Sequence, residues 1–195
     1  MKGYLFSISA FFLSVLLIDE SSCNQQASAA AGKRGFFPLA AGNYWIFRDS
    51  TFSEGKFVSV SNDTDKIVSV SDWNGKKTFI FQDGKEWYMS GDTVYQLSTQ
   101  RTGFKFPSPA LIASDKGGNF NYVFGGDVVV QKEVEKLVSC PQNQWKSISC
   151  YKISDSCNSY QIVGYGVGIL HERISECFSG KNNYTTRTLI DLHLN

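Results

Sequence analysis

The feature that most constrains this chain is the spacing of its turn signals. Trp73-Asn74-Gly75-Lys76 sets Asn-Gly between two runs that alternate polar and apolar residues, Lys66 to Ser71 and Thr78 to Phe81. Asn-Gly is the strongest short-range hairpin signal, because a type I′ turn needs positive φ at both central residues. Asp83-Gly84 turns the chain again into Glu86 to Met89, and Gly91-Asp92 turns it into Thr93 to Leu97. Turns at eight- or nine-residue intervals leave no room for a helix between them and specify an antiparallel meander.

The rest of the chain follows the same rhythm. Asn43 to Phe47 reads as a first strand, entered through Pro38 and a Gly42-Asn43 corner, with Trp45 and Phe47 on one face. Lys56 to Val60 alternates as a half-buried strand, and Asn62-Asp63-Thr64-Asp65 reads as a turn whose oxygens suit a loose calcium site. Phe104 to Ala110 holds Pro107 and Pro109, so it belongs at an edge or a crossing. Further strands are predicted over Asn119 to Phe124, Asp127 to Val138, Trp145 to Ile153, Ser159 to Val163, Gly168 to Ile174 and Thr185 to Leu194. Valines at 128, 129, 130, 134 and 138 argue against a helix in the longest of these. The expected fold is all-β: one strongly curved antiparallel sheet, or an open half barrel, of about ten strands, because so many strands in one layer must curl.

The chain's beginning concerns destination. Lys2 is followed by the uncharged run Tyr4 to Ile18, about fifteen residues long, then by Asp19-Glu20-Ser21-Ser22-Cys23. A run that short is a signal-peptide core, since a membrane span needs roughly twenty apolar residues. Two cuts compete. Cys23 after Ser21 and Ser22 suits the lipid-accepting cysteine of a bacterial lipoprotein, although Glu20 stands where an apolar residue is usual. Ala27-Ser28-Ala29 offers an ordinary A-x-A site, leaving Ala30 at the new terminus. The first is the preferred reading, with residues 1–22 as signal peptide, 23–35 as flexible tether and 36–195 as one β domain. The protein is then exported to the bacterial cell envelope and held by lipid at the outer membrane or a periplasmic face; secretion is the alternative.

Either cut leaves Cys140, Cys150, Cys157 and Cys177, an even set in an oxidising compartment. Two disulfides are expected, in any of three pairings. The intervals of nine, six and nineteen residues are not those of a zinc site. No metal and no cofactor is expected. The net charge of +1 has acids and bases interspersed, which gives no case for nucleic acid.

Catalytic patterns are sparse. Gly164-Tyr165-Gly166-Val167-Gly168 is followed by the strand pattern Ile169 to Ile174 and lacks the helix a nucleotide loop opens, so a bend between strands is expected. His171 and His193 are the only histidines. Glu172 and Glu176 would share a face of one strand, but spacing alone does not set the separation glycoside chemistry needs.

The opening Pro38-Leu39…Gly42-Asn43-Tyr44-Trp45 and the later Gly166-Val167-Gly168-Ile169-Leu170 resemble uncharacterised exported bacterial proteins, many of them Bacteroidetes-like lipoproteins, with a P-L-x-x-G-N-x-W opening and a G-V-G-hydrophobic closing strand. Phe47 stands where those proteins commonly have Tyr. The resemblance implies an envelope β domain and carries over no catalytic residue. The expected role is a non-catalytic binding or structural module tethered to the membrane. An apolar small molecule sheltered by the sheet, or a glycan stacked on Trp45, Trp73, Trp87, Tyr88 and Tyr95, is the ligand class considered. The alternative is a secreted enzyme of unfamiliar type using the His171 region. Oligomeric state is not legible.

Overall fold

The computed structural model describes residues 35–99, 103–124, 128–176 and 181–195. Cys23 with its tether, both candidate cleavage sites, and Cys177 therefore lie outside the described residues. The fold is all-β. Among the described residues twelve antiparallel strands form one sheet: β1 (Tyr44–Ser53), β2 (Lys56–Trp73), β3 (Lys76–Phe81), β4 (Glu86–Ser90), β5 (Thr93–Thr99), β6 (Lys105–Ile112), β7 (Gly118–Phe124), β8 (Val128–Leu137), β9 (Cys150–Asp155), β10 (Tyr160–Gly164), β11 (Gly168–Ser175) and β12 (Tyr184–His193). A short 3₁₀ turn spans Asn143–Trp145.

The spatial order is β6-β5-β4-β3-β2-β1-β12-β11-β10-β9-β8-β7. Every neighbour is a hairpin neighbour in sequence except β1 and β12, the first and last strands, which pair from Tyr44↔His193 to Phe52↔Tyr184. The sheet thus curls into a nearly closed barrel whose seam lies between β6 and β7. Val123 N donates to Ser108 Oγ across it (2.7 Å), and the Tyr122 hydroxyl lies 3.4 Å from Gln96 Oε1. Pro107 and Pro109 explain why side chains do this work. A proline has no N–H for a ladder, so β6 is an edge strand, as its sequence requires.

The local rules hold where turns are tight. Asn74 (φ 52°) and Gly75 (φ 75°) are the two positive-φ residues of the β2–β3 turn. Gly164 to Gly168 is the β10–β11 bend. Two expectations need correction. Asn62-Asp63-Thr64-Asp65 is no turn but the middle of an 18-residue strand. Residues 143–145 are 3₁₀, with the strand starting only at Cys150.

One disulfide joins Cys140 to Cys150, their Cα atoms 5.3 Å apart. Cys157 is also disulfide-bonded.

Candidate functional site

Alternation along each strand sends one set of side chains to the concave side. At one end of it that set is aromatic. The segment before β1 bends in, burying Phe36 (0 % exposed) and Phe37 (3 %). The Phe36 ring stands edge-on to Tyr151, 5.8 Å away, and the Phe37 ring lies 5.4 Å from both Trp45 and Trp87. Phe81 closes on Trp87 at 4.9 Å. Trp45 Nε1 donates to the Val167 carbonyl (2.7 Å), tying β1 to the β10–β11 bend. Gly168 sits beneath these rings at φ 105°, and a Cβ there would meet Trp45 Nε1 at 3.0 Å and the Phe37 ring at 3.1 Å. Buried Asn43 donates to the Pro38 carbonyl (2.7 Å) and accepts from the Asn195 amide (2.8 Å), which fixes the last residue against the first strand.

Further along the same face the lining changes from rings to charges. Asp49 follows Trp45 and Phe47 in β1 and pairs across to Arg187 of β12, while Asp63 and Asp65 of β2 stand opposite Phe47 and Trp45. Arg187 donates to Asp49 (3.1 Å), to Asp65 (3.0 Å) and to Asp63, and its guanidinium lies 4.6 Å over the Phe47 ring. One cation thus spans three strands. Burial pushes the Asp65 carboxyl above its ordinary range, with Arg187 pulling the other way. Burial works against Arg187's charge too, and the three aspartates outweigh it.

Beyond Arg187 the polar lining continues. Glu172 pairs across β11–β12 with Arg187 and accepts from Gln161 Nε2 (2.6 Å); burial holds its pKa high. Lys132 of β8 lies 4.6 Å over the Tyr122 ring, and burial holds its pKa low. Chemically, this half holds charge in fixed pairs. It orients three strands and presents carboxylates that are already engaged.

The five aromatic candidates divide. Trp45, Tyr88 and Trp87 are all buried, 1 %, 2 % and 8 % exposed, with Trp45 and Trp87 in the concave core. Trp73, Tyr88 and Tyr95 gather on the outer face, since Tyr88 follows inward Trp87. There Tyr88 is sandwiched between Trp73 (6.0 Å, 25°) and Tyr95 (5.0 Å, 8°), with Lys76 Nζ 4.7 Å from its ring. His171 also faces outward. Its Nδ1 is 2.9 Å from Thr188 Oγ1, Tyr160 lies beside the ring, and burial lowers its pKa. Its neighbour Glu172 turns to the concave side, and Glu176 lies past the end of β11 bonded to Asn183 (3.0 Å). His193 stacks on Tyr44 at 5.3 Å.

Sequence reasoning missed Arg187 and its aspartates. The signal was the i, i+2 spacing of Asp63 and Asp65, which places both on one face of a strand. Their residue type suggested a turn instead, with calcium as its ligand. In the fold both carboxylates bond to Arg187.

No family model matches this chain, and no curated protein matches it. Solved structures do resemble it in outline. A lipoprotein candidate from Parabacteroides distasonis aligns at a TM-score of 0.41 and 10 % identity, over 82 % of this chain and 99 % of that one. An exported-protein candidate with a YmcC-like fold from Bacteroides fragilis aligns at 0.38 and 10 %, over 82 % and 99 %. A LolA superfamily protein from Nitrosomonas europaea aligns at 0.28 and 9 %, over 88 % and 93 %. At this level of likeness no residue, ligand or role passes from any of the three to this chain.

Proposed function

We propose that this chain is a non-catalytic β module of the bacterial envelope, held at a membrane surface through Cys23, that works through its outer surface and carries no apolar cargo inside. One observation carries the reading: the concave side is occupied by the chain's own groups. Phe36, Phe37, Trp45 and Trp87 fill one end, and Arg187 with Asp49, Asp63 and Asp65 fills the next layer. An apolar ligand entering there would have to displace buried rings or desolvate paired charges, and both are costly. The outer ladder of Trp73, Tyr88 and Tyr95 supports a second, narrower reading, in which Trp73 and Tyr95, half-buried at its two ends, offer ring faces to a sugar.

Titration of the full chain with a dansylated fatty acid tests the cargo question. The expected result is no saturable uptake, and one-to-one saturation would overturn the reading. Cell-wall glycan fragments are expected to change the tryptophan emission of the wild type and to leave Trp73→Ala unchanged; equal responses would remove the ladder from consideration. Mass spectrometry of the processed N-terminus tests the anchor: acyl chains on Cys23 are expected, and a chain beginning at Ala30 refutes it.

A further inference from the structure

The two halves of β2 have different company on its outward side. From Lys56 to Lys66 it pairs with β1, and from Ile67 to Trp73 it pairs with β3. The β3–β4 turn covers the junction, where Gln82 donates its backbone N–H to the Lys66 carbonyl (2.9 Å) and its side-chain amide to the Thr64 carbonyl. Ahead of Thr64 the outward edge of β2 has no backbone partner among the described residues. Thr64 and Lys66 point their carbonyls outward, so by alternation Asn62 and Val60 present theirs as well. This free edge is also apolar. Of the ten large hydrophobic side chains exposed among the described residues, three lie on this free stretch, Phe57 (61 %), Val58 and Val60, and two more, Val68 and Val70, on the half of β2 that pairs with β3. Of the devices that usually blunt an edge, this one has a bulge at Val58, between the Ser59 and Phe57 pairings with β1, but no proline and only Lys56 for positive charge.

The charge order along the edge says what would cover it. The free stretch begins with Lys56 and ends with Asp63, separated by the uncharged Phe57-Val58-Ser59-Val60-Ser61-Asn62. An antiparallel second copy sets the basic end of each strand against the acidic end of the other, whereas a parallel copy opposes like charges. We infer that the Lys56–Asp63 edge of β2 is a self-association surface, on which a second copy of this chain adds its own β2 antiparallel about a two-fold axis at Val60. The contact is isologous. Val60 meets its equivalent, Ser59 lies opposite Ser61 of the second copy, and Lys56 reaches toward Asp63, whose side chain is half exposed even while bonded to Arg187. The two sheets then continue through one another by main-chain hydrogen bonds, with the valines and Phe57 supplying the buried area. This surface lies outside the barrel, so the inference stands whatever the concave side or the aromatic ladder binds.

The test uses the full chain as the cell processes it, extracted in a mild non-ionic detergent. Sedimentation velocity is expected to give a concentration-dependent dimer, and Val60→Lys to give a monomer with an unchanged circular dichroism spectrum. A second measurement does not depend on that variant. Val60→Cys is expected to form a covalent dimer on mild oxidation in the envelope, while Val129→Cys, at a similarly exposed position on β8, is not. A wild type that stays monomeric up to about 100 µM overturns the inference. So does a dimer that survives Val60→Lys, or a Val129→Cys variant that cross-links as efficiently as Val60→Cys.

Discussion

Two regions fill the concave side of this barrel, and they fill it by different physics. Around Trp45 the space is taken by rings, so stability there depends on volume and contact. Around Arg187 it is taken by charges, so stability depends on each charge keeping its partner. The same strands, β1, β2 and β12, line both. Trp45, Phe47 and Asp49 are successive inward residues of β1, which means the change from one regime to the other occurs within a single step of alternation. A ring removed from the first region should leave a defect that neither pH nor salt can repair. A charge removed from the second should leave a defect that acid relieves.

The largest expected effect is at the aromatic end. Trp45→Ala deletes a ring in contact with Phe37 and Phe81 and leaves the Val167 carbonyl without its donor. A loss of about 4 kcal/mol is expected, measured by guanidinium unfolding. It should be the same at pH 5 and pH 8. Arg187→Ala comes next, at about 3 kcal/mol near neutral pH. It strands Asp49, Asp63 and Asp65 together. Burial already pushes the Asp65 carboxyl up, and without the guanidinium nothing so close pulls it back, so the folded variant binds a proton there more readily than the unfolded chain. The deficit should therefore be complete at neutral pH and shrink as pH falls toward the ordinary aspartate value of 3.8. A deficit flat across that range would make Arg187 a packing residue, and the contrast between the two regions would collapse.

Gly168→Ala probes the first region from below. A Cβ there meets the Trp45 indole and the Phe37 ring, and alanine is disfavoured at φ 105°. About 2 kcal/mol is expected. Gly91→Ala, where the added Cβ meets open space, should cost less than half as much. Equal losses at the two sites would mean that backbone conformation alone sets the cost and that the rings can yield.

The first region was legible in the sequence and the second was not, for reasons of range. Trp45 and Phe47 on one face follow from alternation alone, and Asn74-Gly75 fixes its own turn. The barrel follows from many such turns, although β2 turned out to be one strand where two were expected. Asn62 to Asp65 is rich in turn-forming residues, and locally nothing opposes a turn. What holds it extended is the pairing with β1 and the grip of Arg187, 122 residues on from Asp65. A cation that distant has no local signature. The outward placement of Trp73, Tyr88 and Tyr95 beside inward Trp87 is a matter of strand parity, legible only once the register is known.

The smallest and most diagnostic change belongs to the charged end. Glu172 is half-buried on the concave side, and that burial raises its pKa while the Gln161 hydrogen bond only partly offsets this. A carboxyl whose folded pKa lies above its unfolded value gives up stability as pH rises between the two. At neutral pH the wild type therefore carries a penalty that Glu172→Gln does not. The amide keeps an oxygen for Gln161, so the variant should be more stable at pH 7, by about 1 kcal/mol. As pH falls past the ordinary glutamate value of 4.5, the wild-type carboxyl takes up its proton and the two proteins should converge. Thermal melts of both chains at pH 7 and pH 4 decide the matter. Convergence at low pH assigns the penalty to the buried charge. A variant less stable than the wild type at pH 7 would mean that Lys132 and Arg187 need the carboxylate more than burial resists it, and Glu172 would join the Arg187 cluster as a working partner.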